Sequence, residues 1–215
     1  MTRRNQSTGV IRPPLQRRSR DTMARIVNAA ESLLQERGFE HLSVADITTR
    51  ARSSVGAFYA RFADKDALLD YLDERHAEEL IERVTAYSED ERWQAAPVEA
   101  FVGDVVRFLA GYFKEHRGVL RALSVRGRLH DAPRFAETTR RVNSRVPELI
   151  RLVLSRRSEI EHPSPDVAVY LGFVMVMGAL RERILFPETY PTHLPVSVRL
   201  LADELVQAYL SYLGV

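Results

Sequence analysis

At 215 residues, 45% of them apolar, the chain is long enough for one large domain or two smaller ones and can bury a substantial core. It contains no cysteine, which excludes structural disulfides, thiolate metal sites and cysteine nucleophiles and suits a reducing cytoplasm. The net charge of +2 hides an asymmetry: six of the 31 basic residues (Arg3, Arg4, Arg12, Arg17, Arg18 and Arg20) fall in the first 20 positions with no acid among them, leaving 25 basic against 29 acidic residues elsewhere. A basic arm on a mildly acidic body suits an anionic polymer, or serves only as a solubilising tail.

Residues 1–16 include the pair Pro13-Pro14 and show no periodicity, so they are expected to be disordered without a partner. No apolar stretch of the secretory type follows the N-terminus. From about Arg20, Met23, Ile26, Val27, Ala30, Leu33 and Leu34 recur at helical spacing and predict an amphipathic first helix. Gly38 ends it as a left-handed cap, and Phe39 folds back onto its last turn. Ser43 and Asp46 form a capping-box-like start to a second helix, with Val44, Ile47 and Ala51 inward. Arg52 and Ser53 break it. A third, short helix runs from about Ser54 to Ala60 and turns Phe58 and Phe62 inward. Asp64 caps a long fourth helix holding Leu68, Leu69, Leu72, Leu80 and Ile81.

The rest is also helical in pattern. Pro97 fits the first turn of a helix reaching about Glu115. A shorter one spans about Gly118 to Leu129, and another runs from about Pro133 to Arg157 with a kink expected at Pro147. Ser164-Pro165-Asp166 opens a helix on the apolar run Val167 to Leu180, which is 14 residues long. That falls short of the roughly 20 needed to span a bilayer, so the run should be buried within protein. Three prolines make Phe186 to Pro195 a loop, and a last amphipathic helix covers about Val196 to Leu213. No strand alternation and no internal repeat is visible.

Three helices in about 45 residues, the second and third joined by a tight turn, make a helix-turn-helix. A helix of about seven residues is about 10 Å long and enters a major groove about 12 Å wide end-on. At these residues the sequence resembles the DNA-binding motif of the tetracycline-repressor-like (TetR) family. The matching positions are Val44, Ile47, Ala51, Ser54, Gly56, Tyr59, Phe62, Lys65 and Leu68, within about Met23 to Leu72. The resemblance implies an all-α protein with a basic arm (1–19), an N-terminal helix-turn-helix domain (20–66) and a larger helical regulatory and dimerisation domain (67–215). Two positions depart from the pattern. The family's turn carries Gly and then an apolar residue where this chain has Arg52 and Ser53. If Arg52 must take a positive φ there is a steric cost.

Candidate DNA contacts follow from chemistry. Ser43 and Ser54 can cap helices or bond phosphate, and Gly56 permits close backbone approach. Tyr59 can place its hydroxyl on a phosphate while its ring packs, and Lys65 adds a charge beside free N–H groups. Arg52 either adds a phosphate contact or stays idle. Val55, Ala57, Ala60 and Arg61 form the expected base-facing set. The first three can touch only thymine methyl groups, and Arg61 pairs either with guanine or with phosphate. Arg17, Arg18 and Arg20 sit where an arm can reach an adjacent minor groove.

Specific sites usually require two such units related by a dyad. Gly172 and Gly178 in the apolar run, with Val198, Leu201, Leu205, Tyr209 and Tyr212 in the last helix, are the expected dimer surface. The resemblance implies that these helices pair with their copies in a four-helix bundle. The family also holds a small-molecule pocket, for which Trp93, Phe101, Phe108, Tyr112, Leu123, Phe135, Tyr170, Phe173 and Met177 are candidate lining or plain core. One of Arg121, Arg126, Arg128, Arg134 and Arg145 could turn inward to hold an acidic ligand. The implied function is a ligand-responsive transcriptional regulator binding double-stranded DNA as a homodimer. The alternative is a helical ligand-binding or scaffold dimer without specific DNA binding. No cofactor, metal site or membrane partner is expected. The six histidines are scattered, and no nucleophile elbow, P-loop or dinucleotide fingerprint supports an enzyme.

Overall fold

The structure, a computed structural model, describes residues 17–129, 132–188 and 196–215, and among these every regular element is helical. The arm at 1–16 and the tip of the proline-rich loop at 189–195 lie outside the described residues. Two compact units divide the chain between His76 and Ala77. None of the described helices is long and apolar enough to cross a membrane.

The first unit contains α1 (Arg17–Arg37), α2 (Val44–Arg50), α3 (Val55–Tyr59) and the opening half of α4 (Lys65–Ser88). Helix α1 starts three residues earlier than expected, so Arg17 and Arg18 belong to its first turn rather than to the arm. Gly38 closes it with φ +76°, its N–H reaching the Leu34 carbonyl at 3.1 Å, as the cap signal predicted. The inner faces of the helices meet in one small core. Ile26, Leu33, Leu34, Ile47, Phe58, Phe62, Leu68, Leu69 and Leu72 are all fully buried. Phe62 lies 5.5 Å from Phe58 and 5.8 Å from Tyr71, centroid to centroid. Burying a phenylalanine contributes about 2 kcal/mol, so Phe58 and Phe62 are enough to hold a five-residue helix that would not persist alone.

In the second unit α5 (Val98–Glu115) packs against α9 (Pro165–Leu185) and α10 (Val198–Leu213). Around them lie α6 (Arg117–Leu129), α7 (Ala132–Asn143) and α8 (Val146–Leu154). Phe101, Val102, Val106, Ala168, Val169, Leu180, Val206 and Leu213 form the centre of the core. Pro97 precedes α5 as its cap residue instead of entering the first turn. At Pro147 the expected kink is a full break. A proline nitrogen cannot donate to the carbonyl four residues back, so α7 ends at Asn143 and α8 restarts with the proline in its first turn.

One buried charge organises this unit. Arg156 is buried, and its guanidinium donates to the carbonyls of Trp93, Ala96 and Leu152 while lying 5.6 Å over the Phe101 ring. Close by in sequence, Glu159 accepts from the Val98 N–H at 2.7 Å and caps α5. The inward arginine is therefore none of the five named from sequence. Arg121, for example, bonds the Leu185 carbonyl at 2.8 Å and pairs with Glu188.

Candidate nucleic-acid interface

Two serines set the helix-turn-helix. Ser54 caps α3, its hydroxyl accepting from the Ala57 N–H at 3.1 Å. Ser43 caps α2 in the same way through the Asp46 N–H at 3.1 Å. The Asp46 carboxylate is too short to complete the reciprocal bond and takes the Ser43 hydroxyl proton instead. Both the lone pair and the proton of Ser43 are thus engaged inside the protein, which corrects its assignment as a phosphate contact.

The turn between α2 and α3 carries the expected strain. Arg52 stands at φ +49°, and no other described non-glycine residue has a positive φ. The hydroxyl of Ser53 is buried with no hydrogen-bond partner among the described residues. Both departures from the family pattern therefore carry a cost. The turn persists because Arg25 of α1 donates to the Ala51 carbonyl at 3.1 Å, and because Arg52 and Ser53 N–H groups reach Thr49 and Thr48 at 3.2 and 3.0 Å. Replacing Arg52 with glycine should stabilise the protein by about 1 kcal/mol, a rise in Tm of about 2–4 °C in a thermal melt. An unchanged or lower Tm would show that the left-handed arginine is not strained.

Helix α3 has two unlike sides. Phe58 is fully buried, whereas Val55 is 48% and Tyr59 55% exposed, and Ser54, Gly56 and Ala60 are exposed with them. Ala57 is half-buried. Tyr59 packs its ring edge-on against Phe58, 5.5 Å between centroids, leaving the hydroxyl end outward. Exposed Arg20 and Arg52 make no ion pair among the described residues. Other charges of this unit are matched internally: Arg50 with Glu36, Arg37 with Asp46, Arg75 with Glu31. The Arg50 hydrogen bonds hold the Glu36 carboxyl below its ordinary pKa. Lys65, in the first turn of α4, lies 4.7 Å over the Phe39 ring beside the Asp64 cap, which accepts from the Ala67 N–H at 2.7 Å.

Arg61 does not stand where a base reader would. Its Nη1 donates to the Ala57 carbonyl at 2.6 Å, and its Nη2 donates to the Ser19 carbonyl and hydroxyl at 3.1 and 2.9 Å. A guanidinium committed to three acceptors is not aimed at guanine, which corrects that assignment. Nothing in the spacing of the sequence announces a bond across 42 residues, and the supporting roles of Arg25 and Arg50 were equally invisible there.

The other sequence-named sites lie in the second unit. Trp93, Phe101 and Phe108 do come together, around Tyr87. Tyr112 packs instead against His116, the ring planes tilted by 52°, and Leu123 is buried on α6. Phe135 lies against Gly127, where a Cβ would meet its ring at 2.2 Å. Phe173 and Met177 are half-buried against the core. Tyr170 is 55% exposed and so is not a lining residue.

Two dimer candidates are also reassigned. Tyr209 is buried, its ring fills the space beside Gly172, and its hydroxyl donates to the Val169 carbonyl at 2.6 Å. Burial raises its pKa well above the ordinary phenol value. Gly172 is therefore a close approach within the protomer. Val198, Leu201, Leu205 and Tyr212 are half-buried against the core. The exposed apolar residues of α9 are instead Val167, Tyr170, Leu171, Val174 and Met175. With Gly178, where an added Cβ would meet nothing, they form one stripe at i, i+3, i+4, i+7, i+8 and i+11.

Residues 26–72 match the family described as bacterial regulatory proteins of the tetR family. No curated protein matches the sequence. Among solved structures, a putative TetR-family transcriptional regulator from Mesorhizobium loti superposes with a TM-score of 0.63 at 21% identity, over 91% of this chain and 98% of that one. A regulatory protein of the tetR family from Rhodococcus RHA1 gives 0.64 at 16% identity, over 89% and 96%. The MbdR regulator of Azoarcus sp. CIB gives 0.63 at 18%, over 90% and 100%. Residues 26–72 therefore carry the helix-turn-helix of the bacterial regulatory proteins of the tetR family, and the chain shares the fold of these solved structures along its length.

Proposed function

We propose that the protein is a repressor that binds a (pseudo)palindromic operator as a homodimer and is released by a small-molecule effector. The observation that carries the DNA contact is α3, buried through Phe58 and open to solvent through Val55, Gly56, Tyr59 and Ala60. That face holds few donors, so base readout per half-site is modest and rests on contact with thymine methyl groups. Affinity comes mainly from phosphates, through Ser54, Tyr59, Lys65, Arg52 and the arginines of the first turn of α1.

In this assignment residues 1–19 are the arm and its root, 20–66 the DNA-binding domain and 67–215 the regulatory and dimerisation domain. The α9 stripe supports pairing. A row of six positions, five of them exposed hydrophobics, faces outward on a helix already packed on its other side. Support for an effector comes from Trp93. Its indole N–H lies in a side chain 5% exposed and has no acceptor among the described residues, so an acceptor on a bound molecule would satisfy it. Ligand and DNA then oppose each other through one coupling free energy.

The test is selection of duplexes from a random library, followed by titration of the selected duplex at several salt concentrations. A palindromic consensus bound with a steep fall of affinity with salt is expected. A flat salt dependence and no enriched sequence would favour the scaffold dimer.

A further inference from the structure

Arg61 leaves the end of α3, yet three of its hydrogen bonds run to Ala57 of the same helix and to Ser19 of α1. The Ser19 bonds use both the backbone carbonyl and the side-chain hydroxyl. The Nε is buried as well, without a hydrogen-bond partner among the described residues, and the side chain as a whole is half-buried. The turn it holds carries Arg17, Arg18 and Arg20 and no acid. A helix start favours acids, because its unpaired N–H groups make that end positive. Three arginines there oppose the helix's own preference, a conflict that an external anion would resolve. The same turn follows directly on the basic arm.

We propose that Arg61 is a positioning residue. It fastens the arginine-bearing first turn of α1 to the exposed helix α3, so that phosphate binding by the one and groove entry by the other occur as a single preassembled unit. A planar, five-donor guanidinium can bridge a carbonyl on one helix and two acceptors on another at a fixed spacing, and an ammonium cannot. Fixing that spacing before DNA arrives removes an ordering cost from binding. The inference rests on the DNA-binding function proposed above.

A double-mutant cycle on the full-length protein tests it: wild type, Arg61→Ala, the pair Arg17→Ala with Arg18→Ala, and the combination, each titrated onto the selected duplex at several salt concentrations. The arginine pair should lower affinity about tenfold or more and flatten the salt slope by about two per protomer. Arg61→Ala should weaken binding about tenfold, equally for cognate and unrelated duplex. The combined variant should fall no more than about twofold below the weaker single change. Losses that multiply, to about a hundredfold, would overturn the proposal. So would a changed base preference in Arg61→Ala, which would restore the guanine contact. Arg61→Lys keeps the charge without the bridge and should behave like alanine. Should the alanine variant fail to fold, the cycle is run on the lysine variant, and wild-type behaviour there overturns the idea. If the wild-type protein shows no salt-dependent duplex binding, the parent function fails. A wild type that binds, with a multiplicative cycle, sinks only the role of Arg61.

Discussion

Replacing Leu171 and Val174 with glutamate will leave a folded protomer that no longer self-associates and binds its operator about a hundredfold or more weakly. Both side chains are exposed on α9 and neither contributes to the buried core. Substitutions at such positions change the stability of a single protomer by no more than about 0.5 kcal/mol. In a dimer they place four charges, two from each protomer, in an apolar seam, where unpaired charge is expensive. The loss on DNA follows because one helix-turn-helix loses the linked binding of its twin, an effect on the order of a hundredfold to ten-thousandfold. Sedimentation at micromolar concentration gives the oligomeric state, and titration onto a selected duplex gives the affinity. A variant that remains dimeric would move the interface elsewhere, and one that is monomeric with full operator affinity would remove the need for a dimer.

Arg156→Leu will be strongly destabilising in the second unit. Leucine supplies the volume but strands the carbonyls of Trp93 and Ala96, which the guanidinium now satisfies, while the Leu152 carbonyl keeps the Ser155 hydroxyl at 2.8 Å. An unsatisfied buried acceptor costs about 1–3 kcal/mol, so a total near 3 kcal/mol is expected even with partial hydration. For a chain of this size that lowers Tm by roughly 6–12 °C. Lysine should recover little, since one ammonium cannot reach three acceptors in a plane. A leucine variant melting within about 2 °C of wild type would show that water replaces the guanidinium without penalty.

The head of the protein was legible because its signals are local. Helical spacing in Met23 to Leu34, a serine before each short helix and a glycine after α1 each state one boundary, and the structure places caps at Ser43, Ser54 and Gly38. The strain at Arg52 was legible for the same reason. Orientation was not. Helix α9 is apolar nearly all round, so its spacing cannot say which side meets α5 and α10, and Tyr170 and Gly172 were each placed on the wrong side. Arginines resist in a different way. Their long stems let the charge travel, and partners 42 to 63 residues away in sequence drew Arg61 and Arg156 inward. Of the candidate DNA contacts, the buried or spent ones, Ser43 and Arg61, required the hydrogen-bond geometry to recognise.

The scarcity of donors on the outward side of α3 has a consequence for the cell's own DNA chemistry. Val55 and Ala60 present hydrocarbon where a reader rich in amides would present a hydrogen-bonding code. Such a surface recognises a C5-methyl group without asking which pyrimidine bears it. Under the proposed function, methylated cytosine would therefore pass for thymine at those steps, and uracil would not, so occupancy of the proposed operator would be open to epigenetic marking with no change in its genetic text.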